Sequence, residues 1–264
     1  MAVWLLAAIG ALLLGLPVCV LLLRAALGGM LLASLTSRVV LDALTLSLVT
    51  SAVSLCLAVL LGTPLAYLLA RRRFPGSSLL EVLLDLPIVL PPSVAGLALL
   101  LTFGSRGAIG SGLTLLGVEV PFTVGAVVIA QAFVSAPLFI RSARAGFLQV
   151  NRELEDGARV DGASEAAVFR RITLPIASGA LAAGLVLAWA RAMGEFGATI
   201  MFAGNIQGRT QTLPLAVYSE FQAVDGLDRS VAAAAVLAIA AFAVLVAARF
   251  LSWRAVLGVA GKPD

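Results

Sequence analysis

The sequence predicts an all-α polytopic membrane protein with six transmembrane helices and no soluble domain. Its 264 residues are 61% hydrophobic and only 12% charged, whereas a soluble domain has about 45–50% apolar and about 25% charged residues. The mean hydropathy is +1.08, and the apolar residues stand in long runs, of which about 20 residues suffice to cross a bilayer as a helix. A soluble core could not bury this excess, so lipid is expected to cover much of the chain.

Six apolar runs predict the spans, each in turn. They lie at about residues 3–23, 40–70, 80–103, 121–143, 173–202 and 229–252. The second and fifth runs are longer than a hydrocarbon core of about 30 Å requires, so they are expected to tilt or to project from the membrane. The predicted domains are an N-terminal anchor with an outer loop at 1–38, the main membrane domain at 39–252 and a short cytoplasmic tail at 253–264.

The first run is open to two interpretations, an anchor or a cleaved signal peptide. Its sequence, "MAVWLLAAIGALLLGLPVCV", lacks the positively charged n-region of a signal peptide, which favours the anchor. Arginine placement predicts that both termini are cytoplasmic, because this orientation puts most basic residues inside, including the run 71–73 and the pair at 170–171.

Several chemistries are excluded by composition. The chain has no histidine, and its two cysteines, Cys19 and Cys56, stand in apolar runs, so neither a metal site nor a disulfide framework is expected. The sole lysine, Lys262, is followed by proline and has Val256 where the first glycine of a phosphate-binding loop belongs. We therefore predict no catalytic residue, no metal, no directly bound cofactor and no nucleic-acid partner.

Residues 141–171 form a charged segment between the fourth and fifth spans. Asn151 can cap a helix whose first turn is acidic, and Gly162 suits the left-handed position that ends such a helix. Ser164 can cap a second short helix. The pattern predicts two short helices at about 152–171, beneath the membrane and joined by a glycine turn. It leaves open whether they dock a partner protein or form a solvated loop that only fixes topology.

The charged segment resembles the cytoplasmic signature of ABC importer permeases, EAA-x3-G-x9-I-x-L-P. The positions in register are Asp156, Gly157, Ala158, Gly162, Ile172, Leu174 and Pro175. The chain departs at the first two positions, with Asp-Gly for Glu-Ala, whereas the literal Glu-Ala-Ala at 165–167 is out of register. The resemblance implies a coupling helix seated in a groove of a separate ATPase subunit that uses ATP. Neighbouring residues expected to take part are Glu155, Arg159, Asp161, Ala163, Ser164 and Phe169.

A second resemblance narrows the family. The stretches "RAMGEFGATIMFAGNIQGRTQTLPLAVY" (191–218) and "LPIVLPPSVAGLALL" (86–100) resemble the molybdate/tungstate permeases, within a group that includes sulfate permeases. The resemblance covers about residues 40–250 and implies a type I ABC importer permease fold. It also implies a homodimer, two ATP-binding cassette subunits and an extracytoplasmic molybdate-binding protein, assembled with membrane lipid in the cytoplasmic membrane of a prokaryote.

The implied function is ATP-driven import of molybdate or tungstate by alternating access, performed with a non-catalytic permease subunit. A sulfate or thiosulfate permease is the alternative. An ion-coupled secondary transporter is a remote alternative, because Asp85 and Glu195 are the only candidate coupling acids and no repeat is evident. A membrane enzyme or a scaffold would leave both resemblances unexplained.

Three charged residues fall in or near predicted spans. Arg191 and Glu195 are one helical turn apart in the fifth span, where isolated charges are costly. They are either a structural ion pair or, in the case of Arg191, a contributor to the electrostatic potential of an anion path. Asp85, near the cytoplasmic end of the third span, is expected to be a helix-end or gate residue.

Prolines interrupt the third span. Pro87, Pro91 and Pro92 remove backbone donors, and a half-helix that starts near Ser93 would offer free N–H groups to an anion. The nearby small residues either line a path or allow close helix packing. They are Gly96, Gly194 and Gly197.

The predicted outer loop "GNIQGRTQT", residues 204–212, is polar and rich in glycine. The loop is either a simple connector or a functional surface, which would dock the binding protein or form an outer gate. The resemblance favours docking. The candidate residues are Asn205, Arg209, Thr210, Gln211 and Thr212.

Overall fold

The computed structural model describes the backbone of residues 1–260 and the side chains of these residues except Met30, Ala33 and 247–260. Residues 261–264, the end of the predicted tail and the site of Lys262, lie outside the described residues. The described helices are α1 (Ala2–Leu27), α2 (Met30–Thr36), α3 (Arg38–Arg71), α4 (Ser77–Val89), α5 (Pro92–Phe103), α6 (Gly110–Leu115), α7 (Val124–Gln149), α8 (Arg152–Val160), α9 (Glu165–Val168), a π-helical segment (Phe169–Thr173), α10 (Leu174–Met193), α11 (Gly197–Phe202), α12 (Leu213–Gln222) and α13 (Leu227–Ala260).

Long apolar helices dominate the described part of the chain and confirm the predicted all-α membrane class. Five of them can cross a membrane by length and composition: α1, α3, α7, the continuous helix Glu165–Met193 and the Leu227–Val246 part of α13. The bent pair α4 and α5 is apolar enough to count as a sixth span when the two helices are taken together as one broken span. Helix α1 leaves nearly all its side chains exposed, as expected of a helix that is apolar on every side and is covered by lipid.

The third span, predicted at 80–103 with an interruption at its prolines, is broken there and begins a little earlier, at Ser77. It consists of α4 and α5, whose axes differ in direction by 117°. Leu90 and Pro91 between them are extended, with ψ of 135° in each, because a residue that precedes proline disfavours the helical conformation. The half-helix predicted near Ser93 is confirmed and begins one residue earlier, at Pro92.

The fifth span also differs from the prediction of 173–202. The helix runs without interruption from Glu165 to Met193, so the second short cytoplasmic helix is the first turn of the span itself. Residues Phe169–Thr173 form a π-helical turn within it, a distortion that is frequent at functional sites. At the other end the helix stops at Gly194, and α11 follows as a separate short helix.

One compact unit comprises Met1–Leu48 and Asn205–Val244. Its core contains Val40 and Ala43 of α3, Leu213 and Ala216 of α12, and Ala233 of α13. The hydroxyl of Ser47 accepts the backbone N–H of Leu213 at 2.8 Å, which satisfies one of the donors left open at the start of α12.

The other compact unit comprises Val49–Gly204 and the described residues from Leu245 onward. Within it, α7 and α10 approach closely at two glycines. A Cβ on Gly146 would lie 2.6 Å from the Ala180 Cβ, and one on Gly184 would lie 2.7 Å from the Ser142 Cβ. The Ser142 hydroxyl donates to the Ala180 carbonyl at 2.7 Å. Small residues and a hydroxyl bond thus bind the two spans together, as is usual in membrane helix pairs.

Candidate coupling site and membrane elements

Helix α8 is capped at both ends, as its sequence predicts. The side chain of Asn151 accepts the Glu153 N–H at 3.0 Å. At the other end, Gly162 has φ +87°, its N–H donates to the Arg159 carbonyl at 3.0 Å, and the Ala163 N–H donates to the Ala158 carbonyl at 2.9 Å. This pair of bonds is the Schellman arrangement, which a left-handed glycine allows. A Cβ on Gly162 would meet nothing within 4 Å, so only the backbone conformation requires glycine here.

Side chains also brace the turn between α8 and α9. The Ser164 hydroxyl accepts the Ala167 N–H at 3.3 Å, which confirms its predicted cap. The Arg159 guanidinium contacts the Glu165 carboxylate through Nε at 2.7 Å and Nη2 at 3.1 Å, and contacts Asp156 at 2.6 Å. The hydrogen bond that Arg159 donates to Glu165, then the one that it donates to Asp156, raises the pKa of Arg159 above its usual range. The charged turn is therefore held in one shape.

Glu155 lies on the inner side of α8 and is the centre of a buried polar contact. Its side chain is only 2% exposed. Its Oε1 accepts Nη2 of Arg71 at 2.8 Å and the hydroxyl of Thr173 at 2.5 Å. One carboxylate thus joins the end of α3, the cytoplasmic helix α8 and the π-helical turn of the fifth span. We call Arg71, Glu155 and Thr173 the latch.

Backbone contacts reinforce the latch. The Arg71 guanidinium also donates to the Val150 carbonyl at 3.4 Å, just before α8. In return, Nη2 of Arg152 donates to the Arg71 carbonyl at 3.2 Å. Each of the two arginines therefore reaches the backbone of the other's segment, so the end of α3 and the start of α8 are fixed together.

An aromatic cluster packs between the same elements. The Tyr67 ring meets the Phe147 ring edge-on at 5.5 Å and the Phe169 ring edge-on at 5.3 Å. The Phe147 and Phe169 centroids are 6.0 Å apart. Edge-to-face pairs of this kind add to the energy of area burial. Phe169, predicted as a coupling residue, therefore packs inward against α3 and α7.

The predicted coupling residues divide by exposure. Glu155 is buried, whereas the exposed members are Asp156, Gly157, Asp161, Gly162, Ser164, Leu174 and Pro175, and the half-buried ones are Ala158, Arg159, Ala163, Phe169 and Ile172. Helix α8 also exposes apolar side chains: Leu154 is 53% and Val160 is 87% exposed. An apolar side chain left this open on a short cytoplasmic helix suits contact with a partner.

Two members of the latch, Arg71 and Thr173, are not among the functional residues predicted from the sequence. The basic run 71–73 predicted only the topology, and position 173 only marked the start of the predicted fifth span. A sequence signal existed for Arg71, because a basic residue at the end of a long helix needs a partner if it is buried. Nothing in the sequence indicated that Glu155 would be that partner.

Arg191 and Glu195 form the ion pair that their spacing allows, through Nη1 and Oε2. The Glu195 side chain is 1% exposed and the Arg191 side chain 33% exposed. The other carboxylate oxygen of Glu195 accepts the Ala198 N–H at 2.6 Å and so caps α11. Glu195 therefore has a structural role. The guanidinium of Arg191 is partly exposed, and its role in the anion path stays a prediction.

Two of the three small residues predicted for the path are packing glycines. A Cβ on Gly197 would lie 2.5 Å from the Pro92 Cβ, and a Cβ on Gly96 would lie 2.7 Å from both the Ala198 carbonyl oxygen and the Met201 Cβ. These glycines let α5 and α11 touch backbone to backbone. Gly194 is different, since its nearest neighbour would be the Ala190 carbonyl oxygen at 3.5 Å.

Acidic residues of α4 face arginines of α7. Glu81 pairs with Arg144 at 2.8 Å, and Asp85 lies 3.6 Å from Arg141 with both side chains well exposed. Asp85 stands inside α4 rather than at its end, so the helix-end role does not apply. Its role as a gate stays a prediction, as does that of Pro91 and the exposed Ser93.

The loop predicted to dock a partner is built on internal hydrogen bonds. Gln211 Nε2 donates to the Asn205 Oδ1 at 3.0 Å and to the Ser219 hydroxyl at 3.2 Å, and the Thr210 hydroxyl accepts the Ile206 N–H at 3.1 Å. Thr210, Gln211 and Thr212 are buried. The exposed part is residues 206–209, so Arg209 is the predicted docking residue with the freest side chain.

A six-span helical chain with a braced cytoplasmic helix has the construction of the membrane subunit of a transporter. The family described as binding-protein-dependent transport system inner membrane components matches residues 62–255, and the chain belongs to this family. The molybdenum transport system permease protein ModB of Mycobacterium tuberculosis (strain H37Rv) is 44% identical over 199 residues, which cover 75% of each protein. The sulfate transport system permease protein CysW of Synechocystis sp. PCC 6803 is 38% identical over 213 residues, 81% of this chain and 77% of that protein.

A solved structure supports the fold independently. A chain in the crystal structure of a bacterial alginate ABC transporter, in complex with an alginate pentasaccharide-bound periplasmic protein, has a TM-score of 0.73. The match covers 96% of this chain and 93% of that chain at 20% identity. The type I ABC importer permease fold implied by the sequence resemblance is thereby confirmed.

Proposed function

We propose that this chain is the membrane-spanning subunit of an ATP-driven molybdate importer in the cytoplasmic membrane of a prokaryote. The observation that carries the proposal is the braced turn α8–Gly162–α9, joined by the latch to α3 and continuous with the fifth span. A short rigid helix outside the membrane can pass a rigid-body movement into the spans it is fixed to. The exposed Val160 and Gly157 suit contact with an ATPase subunit.

The energy source is a separate protein in this proposal. The sequence lacks a phosphate-binding loop around its only lysine, Lys262. Two ATP-binding cassette subunits would therefore hydrolyse ATP, one beneath each copy of a permease homodimer. An extracytoplasmic binding protein would deliver the substrate, consistent with the periplasmic protein bound by the alginate transporter. Arginine placement supports cytoplasmic termini, with α8 on the ATPase side.

Molybdate is the proposed substrate because the relative named for molybdenum transport is more similar than the one named for sulfate, 44% against 38% identical. Molybdate, tungstate and sulfate are all tetrahedral dianions, so tungstate is the expected competitor. A path that releases dianions quickly should contain few strong positive charges. Arg191 is consistent with this, because Glu195 already neutralises its charge. A sulfate or thiosulfate permease is the alternative.

Transport follows by alternating access. ATP binding draws the two ATPase subunits together and moves both copies of α8. The latch carries this movement to α3 and to the fifth span, and the outer side opens beneath the loaded binding protein. Hydrolysis of ATP then returns the permease to its inward-open form.

The test is uptake of labelled molybdate by vesicles that contain the permease, its ATPase and its binding protein. Excess tungstate should block uptake, and excess sulfate should not. Blockage by sulfate, or the absence of molybdate uptake, would move the protein to the sulfate alternative and leave the importer architecture standing.

A further inference from the structure

A cationic cavity lies where the cytoplasmic ends of α3 and α7 meet the start of α4. Its volume is about 510 Å³, and its lining includes Arg71, Arg72, Arg73, Arg144 and Arg152. Glu81 is the one acidic residue in the lining. Glu155 pairs with Arg71 from outside the cavity, and the charge of Arg72 acts on Glu165, which is itself paired with Arg159. Even with these two carboxylates counted, five guanidinium groups stand against three acidic residues. Such an excess of positive charge in one cavity favours the binding of an anion.

The pairing of these arginines leaves donors unused. Arg144 pairs with Glu81 and Arg71 with Glu155, but the Nε atoms of Arg71 and Arg144 are buried without a hydrogen-bond partner among the described residues. The Arg71 side chain is only 10% exposed. A buried donor without an acceptor is costly. Within the described part of the chain, Arg72 and Arg73 form no ion pair and their side chains are exposed.

The start of α4 adds neutral donors to the same cavity. Ser77 and Ser78 are the first two residues of this 13-residue helix, and both line the cavity. The Ser77 N–H donates to the Phe74 carbonyl at 3.1 Å, but the N-cap, Gly76, has no side chain with which to satisfy the next N–H groups, those of Ser78 and Leu79. Hydroxyls and open N–H groups at a helix N-terminus bind phosphate-type anions, and guanidinium groups bind them through paired N–H donors.

We propose that this cavity is a binding site for a phosphate group, a ligand distinct from the transported substrate. Two sources share this chemistry: the headgroup of an anionic phospholipid of the inner leaflet and free inorganic phosphate. The position at the ends of two spans and the apolar lining residues Leu69 and Leu148 fit a phospholipid, whose glycerol and acyl chains continue along the helices. Basic cavities between helices on the cytoplasmic side are suited to such headgroups.

The experiment measures ligand binding to the purified full-length chain in an uncharged detergent. The chain is titrated with phosphatidylglycerol, phosphatidylcholine or inorganic phosphate, and the unfolding midpoint is followed. Phosphatidylglycerol should raise the midpoint and phosphatidylcholine should not. A rise with inorganic phosphate as well would support the site and identify the free anion as a ligand. No rise with either phosphatidylglycerol or phosphate would overturn the proposal.

Variants tie the result to the cavity. The double variant Arg72→Gln, Arg73→Gln should weaken phosphatidylglycerol binding about thirtyfold. Each arginine near the membrane surface contributes about 1 kcal/mol of attraction to an anionic lipid, and two such losses correspond to that factor. Ser78→Glu should abolish binding without unfolding the helix, because an acidic residue is favourable in a first helical turn and repels the anion. The matched control is Arg170→Gln with Arg171→Gln, an exposed basic pair outside the cavity. An equal loss in the control would show general surface attraction and overturn the proposal. The assay requires no transport, so its outcome is independent of the molybdate proposal.

Discussion

Arg71 and Glu155 form an ion pair of 2.8 Å across 84 residues of sequence. The two side chains are 10% and 2% exposed, so the pair is shielded from water. Thr173 donates to the same carboxylate oxygen. One carboxylate thus contacts the end of α3, helix α8 and the start of the fifth span. In the proposed mechanism, a displacement of α8 therefore reaches both spans through buried contacts.

Replacing Glu155 by glutamine should destabilise the protein by about 3–5 kcal/mol, because the buried Arg71 would lose its counter-charge. The measurements are the unfolding midpoint of the purified complex and the molybdate taken up per ATP hydrolysed, and both should fall. Glu153→Gln is the matched control, since Glu153 is exposed on the same helix. Equal midpoints for the two variants would contradict a structural role for the latch.

Replacing Gly162 by valine should uncouple ATP hydrolysis from uptake. A β-branched residue at φ +87° costs about 1–3 kcal/mol, and the turn that sets the angle between α8 and the fifth span would shift. Gly162→Asn is the control, because asparagine tolerates the left-handed conformation and the site has room for a side chain. The ratio of uptake to ATP hydrolysed is measured for both, and unchanged uptake in the valine variant would count against the rigid turn.

Gly157 tests whether the outer face of α8 meets the ATPase. A Cβ there would meet nothing within 4 Å, so Gly157→Ala should stabilise the helix by about 0.5–1 kcal/mol and keep function, as the alanine of the resembled signature indicates. Gly157→Leu should fold equally well but weaken ATPase association about tenfold, the effect of about 1.4 kcal/mol of steric overlap. Co-purification of the ATPase measures it. Normal association of the leucine variant would place the contact elsewhere.

Local rules account for what the sequence predicted correctly. Asn151, Gly162 and Ser164 each act within four residues, so their capping roles follow from the sequence alone. The broken third span follows in the same way from Pro91 and Pro92. The predictions that failed could not be made from a single local signal. The sequence patterns could not show that the short helix at Ser164 continues into the fifth span through a π-helical turn.

Side-chain direction was the second limit. Glu155 and Asp156 are adjacent and chemically alike, yet one is buried in the latch and the other is exposed. Only the path of α3, 84 residues earlier, decides which carboxylate turns inward. The polar residues Thr210 and Thr212 likewise turn inward, although polarity suggested a surface.

A double-mutant cycle separates the two roles considered for Arg191. Arg191→Gln should destabilise the protein by about 3 kcal/mol, since it leaves the buried Glu195 unpaired, and adding Glu195→Gln should restore most of that loss. Unfolding midpoints and molybdate uptake are measured for all variants. Recovery of stability without recovery of uptake would assign Arg191 to the anion path; recovery of both would make it purely structural. A fully stable single variant would contradict the ion pair.

The contact between Gly197 and Pro92 places the start of α11 against the start of the half-helix α5. An alanine Cβ at position 197 would lie 2.5 Å from the Pro92 Cβ, and Pro92 cannot retreat easily because the chain bends by 117° beside it. Gly197→Ala should therefore cost about 1–3 kcal/mol by overpacking and slow uptake by displacing α5. Gly194→Ala is the matched control, because its nearest contact would be an ordinary 3.5 Å. The midpoint of the Gly197 variant should fall below that of the control, and an unchanged midpoint at 197 would mean that α5 and α11 are not held in contact at this point.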